Sequence, residues 1–127
     1  RQAGWAMQGR CDEARGAYSA AIDAYRQALA EPAQTESAAS AALALGRLES
    51  RAGEHAAAKA TLEKAVTLNA AHPAARGAAY LALAENARAA GDDKAARGYA
   101  TVVTTLFADP ALVAAAEKIL KALPSEK

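Results

Sequence analysis

The feature that most constrains this chain is that it repeats itself. The stretch GAYSAAIDAYRQALAEP, from Gly16 to Pro32, aligns with GEHAAAKATLEKAVTL, from Gly53 to Leu68, and the alignment places His55 on Tyr18, Ala58 on Ala21, Leu62 on Tyr25 and Ala65 on Ala28. A third copy, GDDKAARGYATVVTTLFADP, begins at Gly91. The three glycines are spaced by 37 and 38 residues. Self-similarity at a period of about 20–50 residues marks a stacked array, in which no unit can bury its apolar face alone and each covers its neighbour.

A second periodic segment precedes each copy. Trp5-x-x-Gln8-Gly9, Ala42-x-x-Leu45-Gly46 and Tyr80-x-x-Leu83-Ala84 stand at matching offsets upstream of the three glycines, so the repeating unit is a pair of helices. On these residues the chain resembles the tetratricopeptide repeat (TPR) family, whose pattern W-x2-L-G-x2-Y, then A-x3-F, then P, folds as helix-turn-helix. The resemblance covers about residues 2–110. It implies an all-α, right-handed superhelix of three TPR-like helix pairs, with repeats at about 2–35, 36–73 and 74–109. A C-terminal capping helix at 110–123 completes a single domain of residues 1–127. The pattern departs from the family at Asp12, Glu49 and Ala87, which replace the late aromatic of the first helix, and at Ala100, which stands where Tyr25 and Leu62 do.

Composition supports helix and excludes several partner classes. The 41 alanines favour helix at exposed positions and allow close approach where helices touch. Fifteen basic against fourteen acidic side chains leave a net charge of +1, without the basic excess that a nucleic-acid backbone requires. No apolar run approaches the roughly 20 residues of a membrane-spanning helix. The chain starts at Arg1 without Met and shows no signal peptide, so a segment cut from a longer precursor is the expectation. The single cysteine, Cys11, excludes an internal disulfide. It is expected as a small buried hydrophobe rather than a reactive thiol, since no His or CxxC partner accompanies it.

Taken in order, the first helix is expected over Gln2 to Arg15, with Trp5, Met7 and Cys11 as its larger apolar groups, ending at Gly16 in a left-handed cap. Tyr18 to Ala30 follows, with Tyr18, Ala21, Ile22, Tyr25, Ala28 and Leu29 in one stripe. Glu31-Pro32 stops it, a loop spans Ala33 to Thr35, and Thr35 or Ser37 caps a helix running to Ala52. Gly53 turns the chain into a helix of Glu54 to Asn69. His72-Pro73 opens the next pair, whose second helix is capped by Asp92 and carries Ala95, Ala96, Tyr99, Val102, Val103 and Leu106. Asp109-Pro110 starts the last helix, with Leu112, Val113, Ala116, Ile119, Leu120 and Leu123 on one side and Glu117, Lys118 and Lys121 off it. Ala21, Ala28, Ala58 and Ala65 recur at equivalent offsets, which places them where paired helices approach closely.

Nothing in the sequence points to catalysis. His55 and His72 fall in turns with no carboxylate or cysteine at metal-ligand spacing. HExxH, GxSxG and phosphate-cradling glycine loops are absent, so no enzyme activity, cofactor or metal is expected. The resemblance implies instead a concave groove, lined by the first helix of each pair, that holds a protein or peptide. Carried over residue by residue, the groove comprises Ala3, Ala6, Met7, Arg10 and Glu13, then Ser40, Leu43, Ala44, Arg47, Ser50 and Arg51, then Ala78, Leu81, Ala82, Glu85 and Arg88. Arg10 and Arg47 are equivalent, and with Arg51 and Arg88 they suit a carboxylate or acidic segment. Glu13 and Glu85 are close enough in sequence to pair with them, which leaves a solvated charged face as the competing reading. The Lys and Asn clamp with which some TPR domains hold chaperone tails is replaced by Ala6, Arg10, Ala44, Ala78 and Ala82. The segment FADPALVAAAEKILKAL is similar to the ends of bacterial envelope TPR proteins of the Tol-Pal accessory kind. That similarity implies the periplasm or cell envelope, with the cytoplasm as alternative. The expected role is a non-enzymatic protein-interaction scaffold, and the alternative is a self-associating homo-oligomeric module of a larger protein or envelope complex.

Overall fold

The computed structural model describes residues 2–30 and 36–124, with the side chains of 4–30 and 38–124. Every described regular element is helical, and the class is all-α: α1 (Gln2–Ala14), α2 (Tyr18–Ala30), α3 (Glu36–Arg51), α4 (His55–Leu68), α5 (Pro73–Ala89), α6 (Asp93–Leu106) and α7 (Pro110–Ala122). The expected helix bounds hold to within a residue or so. Glu54 and Asn69 turn out to be the flanking caps of α4, and Leu123 the cap of α7. The expected stop at Glu31-Pro32, the loop after it and a cap by Thr35 or Ser37 lie outside the described residues and side chains.

The three repeat glycines do the same backbone work. Gly16, Gly53 and Gly91 have φ of 78°, 82° and 85°, a left-handed conformation that costs side-chain-bearing residues energy and glycine none. At each, the amide of the next residue reaches back to the helix: Ala17 to the Asp12 carbonyl at 2.8 Å, Glu54 to Glu49 at 2.9 Å and Asp92 to Ala87 at 2.8 Å. The glycine's own amide bonds Glu13, Ser50 and Arg88 at 3.0, 3.1 and 3.1 Å. This is the Schellman arrangement, which satisfies carbonyls that the helix end would otherwise orphan and reverses the chain into its antiparallel partner. Asp92 accepts from the Ala95 amide and Asp109 from the amides of Ala111 and Leu112, as N-caps do.

Helices pack within the pairs α1–α2, α3–α4 and α5–α6, and each pair packs on the next through α2–α3, α4–α5 and α6–α7. The odd-numbered helices also form a row, α1 on α3, α3 on α5 and α5 on α7, whereas no two even-numbered helices bring their backbones close together among the described residues. The last helix therefore takes the place that the first helix of a fourth pair would take. Its Ala116, Ile119 and Leu123 join Ala96, Ala100 and Val103 in one buried cluster.

Within each pair the contact is set by size complementarity. A Cβ on Gly9 would lie 2.7 Å from the Tyr25 ring, and one on Gly46 would overlap Leu62. In the third pair the matching residues are Ala84 and Ala100, both fully buried, so two small side chains replace a glycine facing a large one. This resolves the departure at Ala100 without loss of packing. Ala21, Ala28, Ala58 and Ala65 are all fully buried, as their recurrence requires.

Three sequence expectations fail for stated reasons. Cys11 is exposed rather than buried. It stands where Leu48 and Asn86 stand in the later pairs, and those two are buried because a preceding helix pair covers them; no described pair precedes α1. Tyr18 remains 51 % exposed, although its counterpart His55 is fixed by Asn86 of the following pair. Leu106 is 64 % exposed, because the chain leaves α6 in an extended turn and Phe107 enters the core in its place. There Phe107 meets the Tyr80 ring at 6.1 Å between centroids and lies under the Arg76 guanidinium at 5.4 Å.

Candidate partner-binding face

The row of odd-numbered helices presents one face to solvent, and side chains spaced by three and four residues line it. Ser40, Leu43, Arg47, Ser50 and Arg51 descend one side of α3, and Leu81, Glu85 and Arg88 one side of α5. Three open depressions follow one another along these helices. In the first, of about 560 Å³, Arg10 of α1 meets Ser40 and Leu43 of α3, Asn69, His72 and Ala75. The second, of about 490 Å³, brings Arg47, Ser50 and Arg51 against Leu81, Ala82 and Glu85. The third, of about 610 Å³, joins Glu85, Arg88 and Ala89 to Ala115, Lys118 and Ile119 of α7.

The structure therefore brings together Arg47, Arg51, Leu81 and Glu85, and joins Arg88 to Glu85. It sets Arg10 with Leu43 in a separate depression. Met7 is 59 % exposed and lines none of the three. Ala3 lies outside the described side chains. Lys118 is a member that the sequence reading assigned only to the outside of a capping helix. The signal for it was present: Lys118 follows Pro110 by the same eight residues as Leu81 follows Pro73, and α7 stacks in register with the odd-numbered row. Asn69 and His72, read as helix stop and loop, close the first depression from its α4–α5 side. The Asn69 amide donates to the carbonyls of Ala39 at 3.3 Å and Ala65 at 2.8 Å, which holds this corner rigid.

The charge pattern is uneven. The lining residues include Arg10, Arg47, Arg51, Arg88 and Lys118 against a single carboxylate, Glu85. Among the described residues none of these four arginine side chains makes a hydrogen bond or ion pair. Glu13, the other carboxylate at hand in sequence, accepts a hydrogen bond from the Tyr25 hydroxyl at 3.1 Å. Burial and that acceptor together push the Tyr25 phenol up to about 12.

Glu49, Glu54 and Asp12 have structural partners. Buried Glu49 accepts from Arg26 at 3.0 Å, and Arg26 also reaches Glu54 at 3.1 Å, which raises the guanidinium above its usual value chiefly through the Glu49 bond. Buried Asp12 takes Gln8 and Arg15. His55 is bonded through Nδ1 to the Asn86 side-chain oxygen at 2.8 Å, and the Asn86 amide returns to the His55 carbonyl at 3.1 Å, a link between successive pairs. Among the described residues no group of three His, Cys, Asp or Glu side chains is arranged to hold a metal ion, and no helix is long and apolar enough to cross a membrane. No protein-family model, curated protein or solved structure matches the chain.

Proposed function

We propose that this chain is a TPR-like superhelical repeat that acts as a non-enzymatic scaffold, holding an acidic peptide or partner segment along the face of its odd-numbered helices. The supporting observation is the row of three depressions whose arginines have no carboxylate partner among the described residues. Unpaired guanidinium groups on a recessed surface are strong receptors for carboxylates, because a groove shields a charged hydrogen bond better than a flat surface does. Alanines such as Ala82 and Ala75 keep the floor low enough for a backbone to approach. The test is capture of partners with the purified protein, followed by calorimetric titration of the recovered segment against the parent and an Arg47→Ala, Arg51→Ala variant at low and high salt. The expected result is at least about a tenfold loss of affinity, or 1.4 kcal/mol, with unchanged folding. Equal affinity in the variant and no salt dependence in the parent would move binding off this face.

A second reading, a self-associating module of a larger assembly, is favoured by one observation. Among the described residues, three of the four exposed large apolar side chains, Trp5, Met7 and Tyr18, belong to the first helix pair, and exposed apolar surface drives association. Light scattering separates the two readings: a concentration-dependent mass that Trp5→Ser with Met7→Ser abolishes supports assembly through this end.

A further inference from the structure

The junction between the first and second helix pairs holds a cavity larger than its counterpart at the next junction. Its 390 Å³ are lined by Tyr18, Ser19 and Ile22 of α2, Leu48 and Arg51 of α3, and the turn at Ala52 and Glu54, and open to solvent on one side. One period further along, the matching space between α4, α5 and α6 measures 170 Å³. The two spaces are lined by different side chains. Tyr99 lines the smaller space, and its counterpart in the preceding repeat is Thr61. His55 is drawn onto Asn86 by paired hydrogen bonds, whereas their counterparts Tyr18 and Leu48 have no such bond to make, and Tyr18 stays half in solvent. The size of the cavity is therefore a property of these particular side chains, superimposed on a repeat that leaves a smaller space at the next junction.

Its lining has two chemically distinct parts. Ile22 and Leu48 are 7 % and 3 % exposed and form an apolar base, flanked by the Tyr18 ring. At the mouth, Arg51 and Ser19 make no side-chain hydrogen bond among the described residues, so six N–H and O–H donors in total are unspent there. The one carboxylate at the mouth, Glu54, is engaged by Arg26 at 3.1 Å. A volume near the lower end of the roughly 300–1,000 Å³ found for small-molecule sites admits a body the size of one aromatic ring and excludes a helix. We infer that this cavity is a binding site for a small carboxylate with an apolar body, its ring or branched chain on Ile22 and Leu48 and its carboxylate on Arg51 and Ser19. The site is distinct from the partner-binding face and does not depend on it, although Arg51 stands on the border of both.

Three probes of one series test the assignment: phenylacetate, which has body and charge; phenylacetamide, which has the body alone; and acetate, which has the charge alone. Each is titrated into 15N-labelled protein while backbone amide shifts are followed. Phenylacetate is expected to move the amides of Ser19, Arg51 and Ala52 saturably, with phenylacetamide at least about tenfold weaker and acetate without effect. Tyr18→Ala is expected to weaken phenylacetate at least about tenfold. Arg51→Ala is expected to remove the preference for acid over amide. The circular-dichroism melt of each variant checks folding. Tyr18 and Arg51 are exposed, so both variants are expected to fold as the parent does. Equal binding of acid and amide, shifts centred on Leu81 and Glu85 in place of Ser19 and Ala52, or no saturable shift with any probe would each overturn it.

Discussion

A double substitution at Gly46 and Leu62 tests the size matching that holds each helix pair together. Gly46 lies inside α3 and Leu62 inside α4 with no solvent exposure, and a Cβ on Gly46 would overlap the Cγ and a Cδ of Leu62. Because Cγ is near the root of the side chain, a rotation of the tip cannot relieve the overlap. Gly46→Ala alone should gain about 1 kcal/mol of helix propensity and lose about 1–3 kcal/mol to overpacking, a net loss of up to about 2 kcal/mol. Leu62→Ala alone removes a fully buried side chain and should cost about 2–5 kcal/mol. Combined, the two changes recreate the Ala84–Ala100 contact of the third pair. The overlap is then gone, the new methyl fills part of the space that Leu62 vacates, and the propensity gain remains. The two changes should thus couple by about 1–3 kcal/mol, the double variant being more stable than the sum of the singles. Urea unfolding of the four proteins measures this. Additivity within about 0.5 kcal/mol would mean that Gly46 and Leu62 do not oppose each other, and with them the repeat alignment would fail.

Other perturbations probe the remaining contacts. Ala58→Leu, at a fully buried close approach, should lower stability by about 1–3 kcal/mol; an unchanged urea midpoint would refute the placement. Arg26→Ala leaves buried Glu49 without its guanidinium and should cost about 1–3 kcal/mol, toward the lower end because the Arg26 side chain is 44 % exposed. Glu49→Gln should recover part of the loss, and no recovery would assign it to the Arg26 stem. The Tyr25 phenol is raised from 10.0 to about 12, so the folded state favours its neutral form. That contribution is complete below pH 10 and fades as pH climbs through 12, so the parent's urea midpoint should fall over this window by more than that of Tyr25→Phe; parallel curves would refute it. Removing residues 110–127 uncovers Ala96, Ala100 and Val103, and the truncated protein should associate in light scattering, whereas a fully helical monomer would show that α7 is not a cap.

Much of this fold was legible because the determinants are local and periodic. A left-handed residue after a helix nearly requires glycine, so Gly16, Gly53 and Gly91 announce the turns before any packing is known. Alanine at a fixed offset in successive copies reports a close approach that recurs. Cross-helix matching is harder to read, since the consequence of Gly9 or Gly46 depends on which side chain opposes it, and the opposing residue is named only once the pairs are aligned in space. The failures at Cys11 and Tyr18 share a physical cause, since equivalent positions in successive pairs do not have equivalent environments. Cys11 and Leu48 share an offset, yet Leu48 has a helix pair before it and Cys11 has none among the described residues. Tyr18 and His55 share an offset, yet only His55 meets a side chain able to bond it.

The same distinction governs the candidate binding face. That Arg47 shares a face with Arg51, and Leu81 with Glu85, follows from four-residue helical spacing, and that the two faces line one groove was what the TPR resemblance implied. Whether their charges are spent was not accessible from the sequence, because pairing depends on which carboxylates turn elsewhere. Glu13 goes to Tyr25, and Glu49 and Glu54 share Arg26, so the contacts that join helices consume acidic groups and leave the arginines over. A net charge of +1 across the chain thus coexists with a locally basic face. The balance of the whole chain excludes a nucleic-acid-like charge excess without constraining the face on which a partner would bind.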